Sequence, residues 1–235
     1  MRSPMAPPFV RRALLAAPAL LAAPARAQSQ TQLDVLLVLA MDASGSIGEE
    51  EFRLQREGYA EAITHPAVLA AIASGRRGAI GLAALEWGTP GGSQVVVDWM
   101  RVGGIASAQD FAEALLGAPR TPQSWNAIGD AIHHASHMLR EGPFTGERLV
   151  MDISGDAGDM RSHRPAPIAR DIVVRRGMVV NALAIAPGGL TRSGENLAAL
   201  YERDVIGGPG AFVMQADSRM DLTRSLRAKL IREIS

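Results

Sequence analysis

Between Asp34 and Asp42 the chain reads Asp-Val-Leu-Leu-Val-Leu-Ala-Met-Asp, an unbroken apolar run closed by an aspartate at each end. A strand with one wet face alternates polar and apolar residues. A continuous Val/Leu run of this length instead predicts a strand buried on both faces, as in a parallel sheet sandwiched between helices. Whatever follows must supply those helices, and the remaining pattern does.

Ser46 to Ile63 reads as a helix whose first turn carries Glu49, Glu50 and Glu51, favourable beside the positive end of the helix dipole. Residues 66–73 read as a short helical extension. Strands are expected at 79–87 and 94–100; only Gly88 to Gly92 and a residue or so separate them, too few for a parallel crossover, so they pair as a hairpin. Helices are then expected at 107–116, 125–141, 165–176, 194–203 and 217–232, alternating with strands at 148–154, 178–185 and 211–215. The alternation predicts an α/β, doubly wound (Rossmann-like), mostly parallel sheet with one antiparallel edge strand. Ligands bind such sheets at the carboxyl ends of strands near the topological switch point, here the ends of the first and fourth strands.

The first 27 residues stand apart. Arg11-Arg12 precede an apolar stretch, Ala13 to Ala25, which ends in Ala25-Arg26-Ala27, a small-x-small cleavage pattern, and Pro18 and Pro24 interrupt it. The stretch is short against the roughly 20 residues of a membrane span, and the pattern is that of a secretory signal peptide. Residues 28–235 are therefore expected as one domain, periplasmic or secreted, with no stable membrane insertion after cleavage. Removing Arg2, Arg11, Arg12 and Arg26 leaves 20 basic against 24 acidic residues, which argues against nucleic-acid binding. The absence of cysteine excludes disulfides, thiolate metal centres and a cysteine nucleophile.

At the end of the first strand, Asp42-Ala-Ser44-Gly-Ser46 spaces a carboxylate and two hydroxyls at alternate positions in a turn that Gly45 helps to close. This is a hard-oxygen set, suited to Mg2+, Mn2+ or Ca2+ rather than to zinc. The competing reading makes Ser46 only the cap of the helix that follows. The fourth strand ends Asp152-Ile-Ser-Gly-Asp156-Ala-Gly-Asp159 and offers a second carboxylate at the same rim. Asp156 is the preferred one, since Asp152 lies inside the strand as a structural acid and Asp159 has the look of a solvent-facing residue.

These residues resemble the metal-ion-dependent adhesion site (MIDAS) of von Willebrand factor type A (VWA) domains. The stretches Arg148 to Asp156, Gly177 to Ile185 and Tyr201 to Phe212, with Lys229 to Ile234, are similar to an exported bacterial branch of that superfamily, a domain of unknown function. The resemblance implies a VWA-like fold and a Mg2+, or Mn2+ or Ca2+, held by Asp42, Ser44 and Ser46, with Asp156 contributing directly or through water. It further implies a protein partner whose acidic residue completes the coordination, since two carboxylates neutralise a divalent ion only once. Where the family usually places a threonine, before the helix starting near Trp125, this chain has Asn126, which can ligate through its carbonyl oxygen. Ser124 and Thr121 lie close enough in sequence to substitute.

Four further signals bear on function. His133, His134 and His137 share a helix, the outer two at metal-ligand spacing, yet they fall opposite its apolar stripe of Ile128, Ile132, Ala135 and Leu139 and are expected in solvent. Ser44-Gly-Ser46-Ile-Gly48 lacks the first glycine of a serine-hydrolase elbow, and Gly207-Gly-Pro-Gly210 is too short for a dinucleotide loop. Trp87 and Trp125 fall near the metal loops, either as core or as an apolar rim for a partner. The reading is thus an exported, non-enzymatic, metal-dependent protein-binding module. Its rivals are a hydrolase using the same metal, with Asp152 or Asp159 as base, and a structural domain with a degenerate site.

Overall fold

The computed structural model describes residues 30–191, 193–216 and 219–235. The expected leader, 1–27, lies outside them. In chain order the elements are β1 (Thr31–Asp42), α1 (Glu49–Thr64), α2 (Pro66–Ser74), β2 (Ile80–Trp87), β3 (Gln94–Val102), α3 (Ile105–Gly117), α4 (Ile128–Glu141), β4 (Phe144–Gly155), α5 (Ala166–Val174), β5 (Met178–Ile185), α6 (Leu197–Asp204), β6 (Val213–Ala216) and α7 (Arg219–Ile234). The six strands form one sheet in the order β3-β2-β1-β4-β5-β6. All neighbours are parallel except β2 and β3, which form the expected antiparallel hairpin at the edge.

β1 shows why its run had to be apolar throughout. Val35, Leu37, Leu39 and Met41 pack on one face against Tyr59 and Ile63 of α1, Phe111 and Leu115 of α3 and Leu222, Leu226 and Leu230 of α7. Leu36, Val38 and Ala40 pack on the other against Ile128 and Ile132 of α4, Ala169 and Val173 of α5 and Tyr201 of α6. Each fully buried aliphatic side chain contributes about 1.5–3 kcal/mol, so this one strand ties both helical layers to the sheet. The winding reverses between β1 and β4, which places the loops after both strands side by side.

The differences from expectation lie at element ends. α1 starts at Glu49, not Ser46: Gly48 occupies the N-cap position without a side-chain bond, so Ser46 is not a helix cap. α4 starts at Ile128, not 125, because the residues before it are held by other loops. β1 and β4 each begin earlier than expected, Thr31 pairing with Phe144 beyond the apolar run. α6 begins at Leu197, where Asn196 Oδ1 caps it by accepting from the Ala199 amide at 2.8 Å. The last strand is Val213–Ala216. The start expected for the last helix, 217–218, lies outside the described residues.

Candidate metal centre at the switch point

Asp42, the last residue of β1, is completely buried, as is Ser44. The Ser44 amide donates to Asp42 Oδ1 at 2.8 Å, curling the turn back on the strand end. The hydroxyls of Ser44 and Ser46 lie 2.9 Å apart, and Ser46 Oγ donates to Asp156 Oδ1 at 3.1 Å. The Asp156 amide reaches Asp42 Oδ2 at 3.5 Å. The structure therefore brings Asp42, Ser44, Ser46 and Asp156 together at the rim where β1 and β4 end. Burial, and after it the negative charge of Asp156, push the Asp42 carboxyl up to about 7 against the opposing bonds from Ser44 and the Asp156 amide. Two acids so placed favour a cation between them.

Asn126 lies beside them. The loop before α4 is fastened to its neighbours by Gly45 N donating to Ser124 O at 3.0 Å, Ala127 N to Gly88 O at 2.9 Å and Met160 N to Asn126 O at 2.7 Å. These bonds fix the loop, and Asn126 lines the same cleft as Ser46 and Asp156, about 360 Å³ in volume and lined also by Thr191, Glu195 and Leu200. Asn126 Oδ1 is itself buried with no hydrogen-bond partner. A buried carbonyl oxygen left unpaired costs about 1–3 kcal/mol, and a cation ligated by it would remove that cost. Thr121 is not available as the alternative ligand, because its amide and hydroxyl both donate to Glu86 Oε2 at 2.8 Å. The donors are two carboxylates, two hydroxyls and a carboxamide, all hard oxygens, so the residues present fit a Mg2+-, Mn2+- or Ca2+-type ion. No cluster of three or more His, Asp or Glu side chains among the described residues is placed to hold a metal.

Comparison with known proteins bears on this arrangement. The family described as a protein of unknown function, DUF1194, matches residues 32–235. The chain belongs to the DUF1194 family. No curated protein matches it. Among solved structures, the pilus adhesin SpaC of Lactobacillus rhamnosus GG superposes with a TM-score of 0.63 at 16% identity, over 87% of this chain and 31% of that one. A von Willebrand factor type A protein from Catenulispora acidiphila gives 0.56 at 17% identity, over 86% and 43%. Proximal thread matrix protein 1 from the mussel byssus, whose MIDAS motif holds zinc, gives 0.58 at 15% identity, over 85% and 45%. This DUF1194 chain thus has a VWA-like α/β fold and spans less than half the length of these chains.

Several residues of the DUF1194 site were not singled out from sequence. Arg120 Nη2 donates to Ile47 O at 2.7 Å and clamps the loop after β1. Glu86, fully buried at the end of β2, accepts from Arg56 Nε at 3.1 Å as well as from Thr121. A glutamate inside the otherwise apolar run 79–87 was the available signal. Tyr201 donates to Ala157 O at 2.9 Å beneath the site.

One expectation needs correction, and two others are sharpened. Asp159 does not merely face solvent: it accepts from Gly129 N at 3.1 Å and Ala166 N at 3.0 Å, binding the starts of α4 and α5 together. Of the two readings for the tryptophans, Trp87 takes the core one, fully buried with Nε1 donating to Ala40 O at 3.0 Å, whereas Trp125 is 42% exposed. The histidines of α4 are partly exposed as expected, but with His163 and Asp130 they line a separate cleft of about 480 Å³. His163 was missed; its Nδ1 lies 2.9 Å from Asp130 Oδ2. Asp152 is the structural acid expected, with Tyr59 donating to its Oδ2 at 2.9 Å.

Proposed function

We propose that this chain is an exported, non-enzymatic VWA-type module that binds a protein partner through a divalent cation, Mg2+ or failing that Mn2+ or Ca2+, held by Asp42, Ser44, Ser46, Asn126 and Asp156. The observation that carries the reading is the convergence of Asp42, Ser44, Ser46 and Asp156 at the ends of β1 and β4, beside Asn126, which lines the same cleft as Ser46 and Asp156 and has a buried, unpartnered Oδ1. When bound, the ion would offer an open coordination position to a carboxylate from outside. The chain's own residues prepare the surroundings for such a carboxylate. Trp125 and Met160 are exposed beside the cleft, and the Arg161 guanidinium stacks 4.2 Å over the Trp125 ring. An apolar shelf carrying a cation suits an Asp- or Glu-bearing loop.

The binding reading is favoured over the hydrolytic one by the fate of the spare acids. Asp152 is enclosed with Tyr59 and Lys229, and Asp159 is spent on two backbone amides. Export rests on the leader-like residues 1–27 and agrees with neighbours that are a pilus adhesin and a byssus matrix protein.

The test is immobilised protein exposed to periplasmic extract in Mg2+ and then eluted with chelator. The reading expects an acidic-loop partner to be released by chelator and absent from an Asp42→Ala column. A partner retained equally in chelator would overturn the metal bridge, and turnover of ester or phosphate substrates that vanishes in Asp156→Ala would overturn the non-enzymatic reading.

A further inference from the structure

The chain carries 23 arginines but one lysine, Lys229. That lysine is completely buried, on the face of α7 that meets the sheet. It sits between two acids that are also completely buried: its Nζ lies 2.7 Å from Asp152 Oδ1 of β4 and also contacts Glu233 Oε1, one turn along α7. The polar groups around this triad are Tyr59, which holds Asp152 Oδ2 at 2.9 Å, and Asn181, whose Nδ2 donates to Glu233 Oε1 at 3.0 Å. The Phe212 ring stands 5.4 Å from Nζ.

Two features are unlike an ordinary ion pair. Asp152 Oδ1 accepts no hydrogen bond, although Nζ is so close, because the amine stands outside hydrogen-bonding angles. Glu233 Oε2 is likewise buried and unpartnered. Burial holds the Glu233 carboxyl at about 7, with the pull of Lys229 opposing and the charge of Asp152 adding to the rise. Three ionic groups without water carry a desolvation cost of several kcal/mol each, which good geometry must offset, and here the geometry leaves two carboxyl oxygens unserved. Since Oδ1 is bonded to Cγ, Nζ lies within about 4 Å of that carbon, near the roughly 3–3.5 Å of a near-attack arrangement.

We propose that Lys229 and Asp152 condense spontaneously into an intramolecular isopeptide bond that joins α7 to β4, with Glu233 as the proton carrier. One proton passes from the ammonium to the Asp152 carboxylate, leaving a neutral amine against a neutral carboxyl. Nζ attacks Cγ and the C–N bond forms. Glu233 takes the next proton from nitrogen and returns it to the departing hydroxyl, so the C–OH bond breaks and one water leaves. No oxidant or other reactant is consumed. The product replaces a buried ammonium and carboxylate with a neutral amide, and Glu233, having passed its proton to the departing water, ends the step as the carboxylate it began. This chemistry is independent of the metal cleft.

A single lysine makes the test unambiguous. The full chain is unfolded in urea, treated with an amine-directed label, digested with trypsin and mapped by mass spectrometry. The expected result is one branched peptide joining 149–161 to 228–232, one water lighter than their sum, uncleaved and unlabelled at Lys229. Linear 149–161 with a labelled or cleaved Lys229 in the wild type overturns the proposal. In Glu233→Gln the branched peptide is expected to disappear, and its persistence at wild-type yield would overturn the role given to Glu233. Should that variant fail to fold, the wild-type map alone decides.

Discussion

Gly155 ends β4 beneath the candidate metal centre, and a methyl group there has nowhere to go. A Cβ built on it would meet Tyr201 Oη at 2.8 Å, Asp42 Oδ2 at 3.0 Å and Trp87 Cζ2 at 3.0 Å. All three neighbours are fully buried, so none can swing into solvent, and Tyr201 is held besides by its bond to Ala157 O. Overpacking of this kind costs about 1–3 kcal/mol. At roughly 2–4 °C per kcal/mol for a domain of this size, Gly155→Ala should unfold some 2–12 °C below wild type. The assay is thermal unfolding by circular dichroism in chelator, so that metal plays no part. Gly117 in α3 is the control: a Cβ there meets nothing within 4 Å, and Ala in a helix gains about 0.5–1 kcal/mol over Gly. A Gly155→Ala protein melting with the wild type, or a Gly117→Ala protein falling as far, would refute the packing argument.

Glu86→Ala should destabilise by about 3 kcal/mol or more in urea unfolding, because it leaves the buried Arg56 guanidinium, still bonded to the Leu115 and Pro119 carbonyls, without its counter-charge and frees Thr121; a loss under about 1 kcal/mol would contradict the role given to this pair. Burial alone would raise Asp130, but bonds from the His163 ring and amide and the Gly91 amide outweigh it and hold the carboxyl below its usual range. A depressed folded-state pKa gives stability that is complete above the unfolded value, about 3.9, and is lost as pH falls through the folded one. Denaturant titrations below pH 4 should therefore fall more steeply for wild type than for Asp130→Asn, and parallel slopes would contradict it.

The sheet was legible because β1 and its parallel neighbours bury both faces, which writes their apolar runs into the sequence without help from distant residues. The Asp42-Ser44-Ser46 turn was legible for a related reason, since three oxygen donors at alternate positions are a local pattern. Asp159 was misread because its partners, Gly129 N and Ala166 N, become neighbours only when α4 and α5 converge. The helix start was placed too early, at Ser46, because Gly48, with no side chain to signal, holds the N-cap position ahead of the glutamates. Lys229 looked like any charged residue of a terminal helix; only the register of α7 on the sheet sets it opposite Asp152 and reveals the triad.

The central claim is that the oxygens of Asp42, Ser44, Ser46, Asn126 and Asp156 hold a divalent cation, and the most direct test is the melting temperature of the purified protein in chelator against millimolar Mg2+, Mn2+ or Ca2+. An ion at about 100 times its dissociation constant adds roughly 2.7 kcal/mol, a rise of about 5–11 °C at this size. The account predicts that rise for wild type and its loss in Asp42→Ala and Asn126→Ala. An unchanged melting temperature at saturating concentrations of all three ions, or an equal rise in Asp42→Ala, would contradict it.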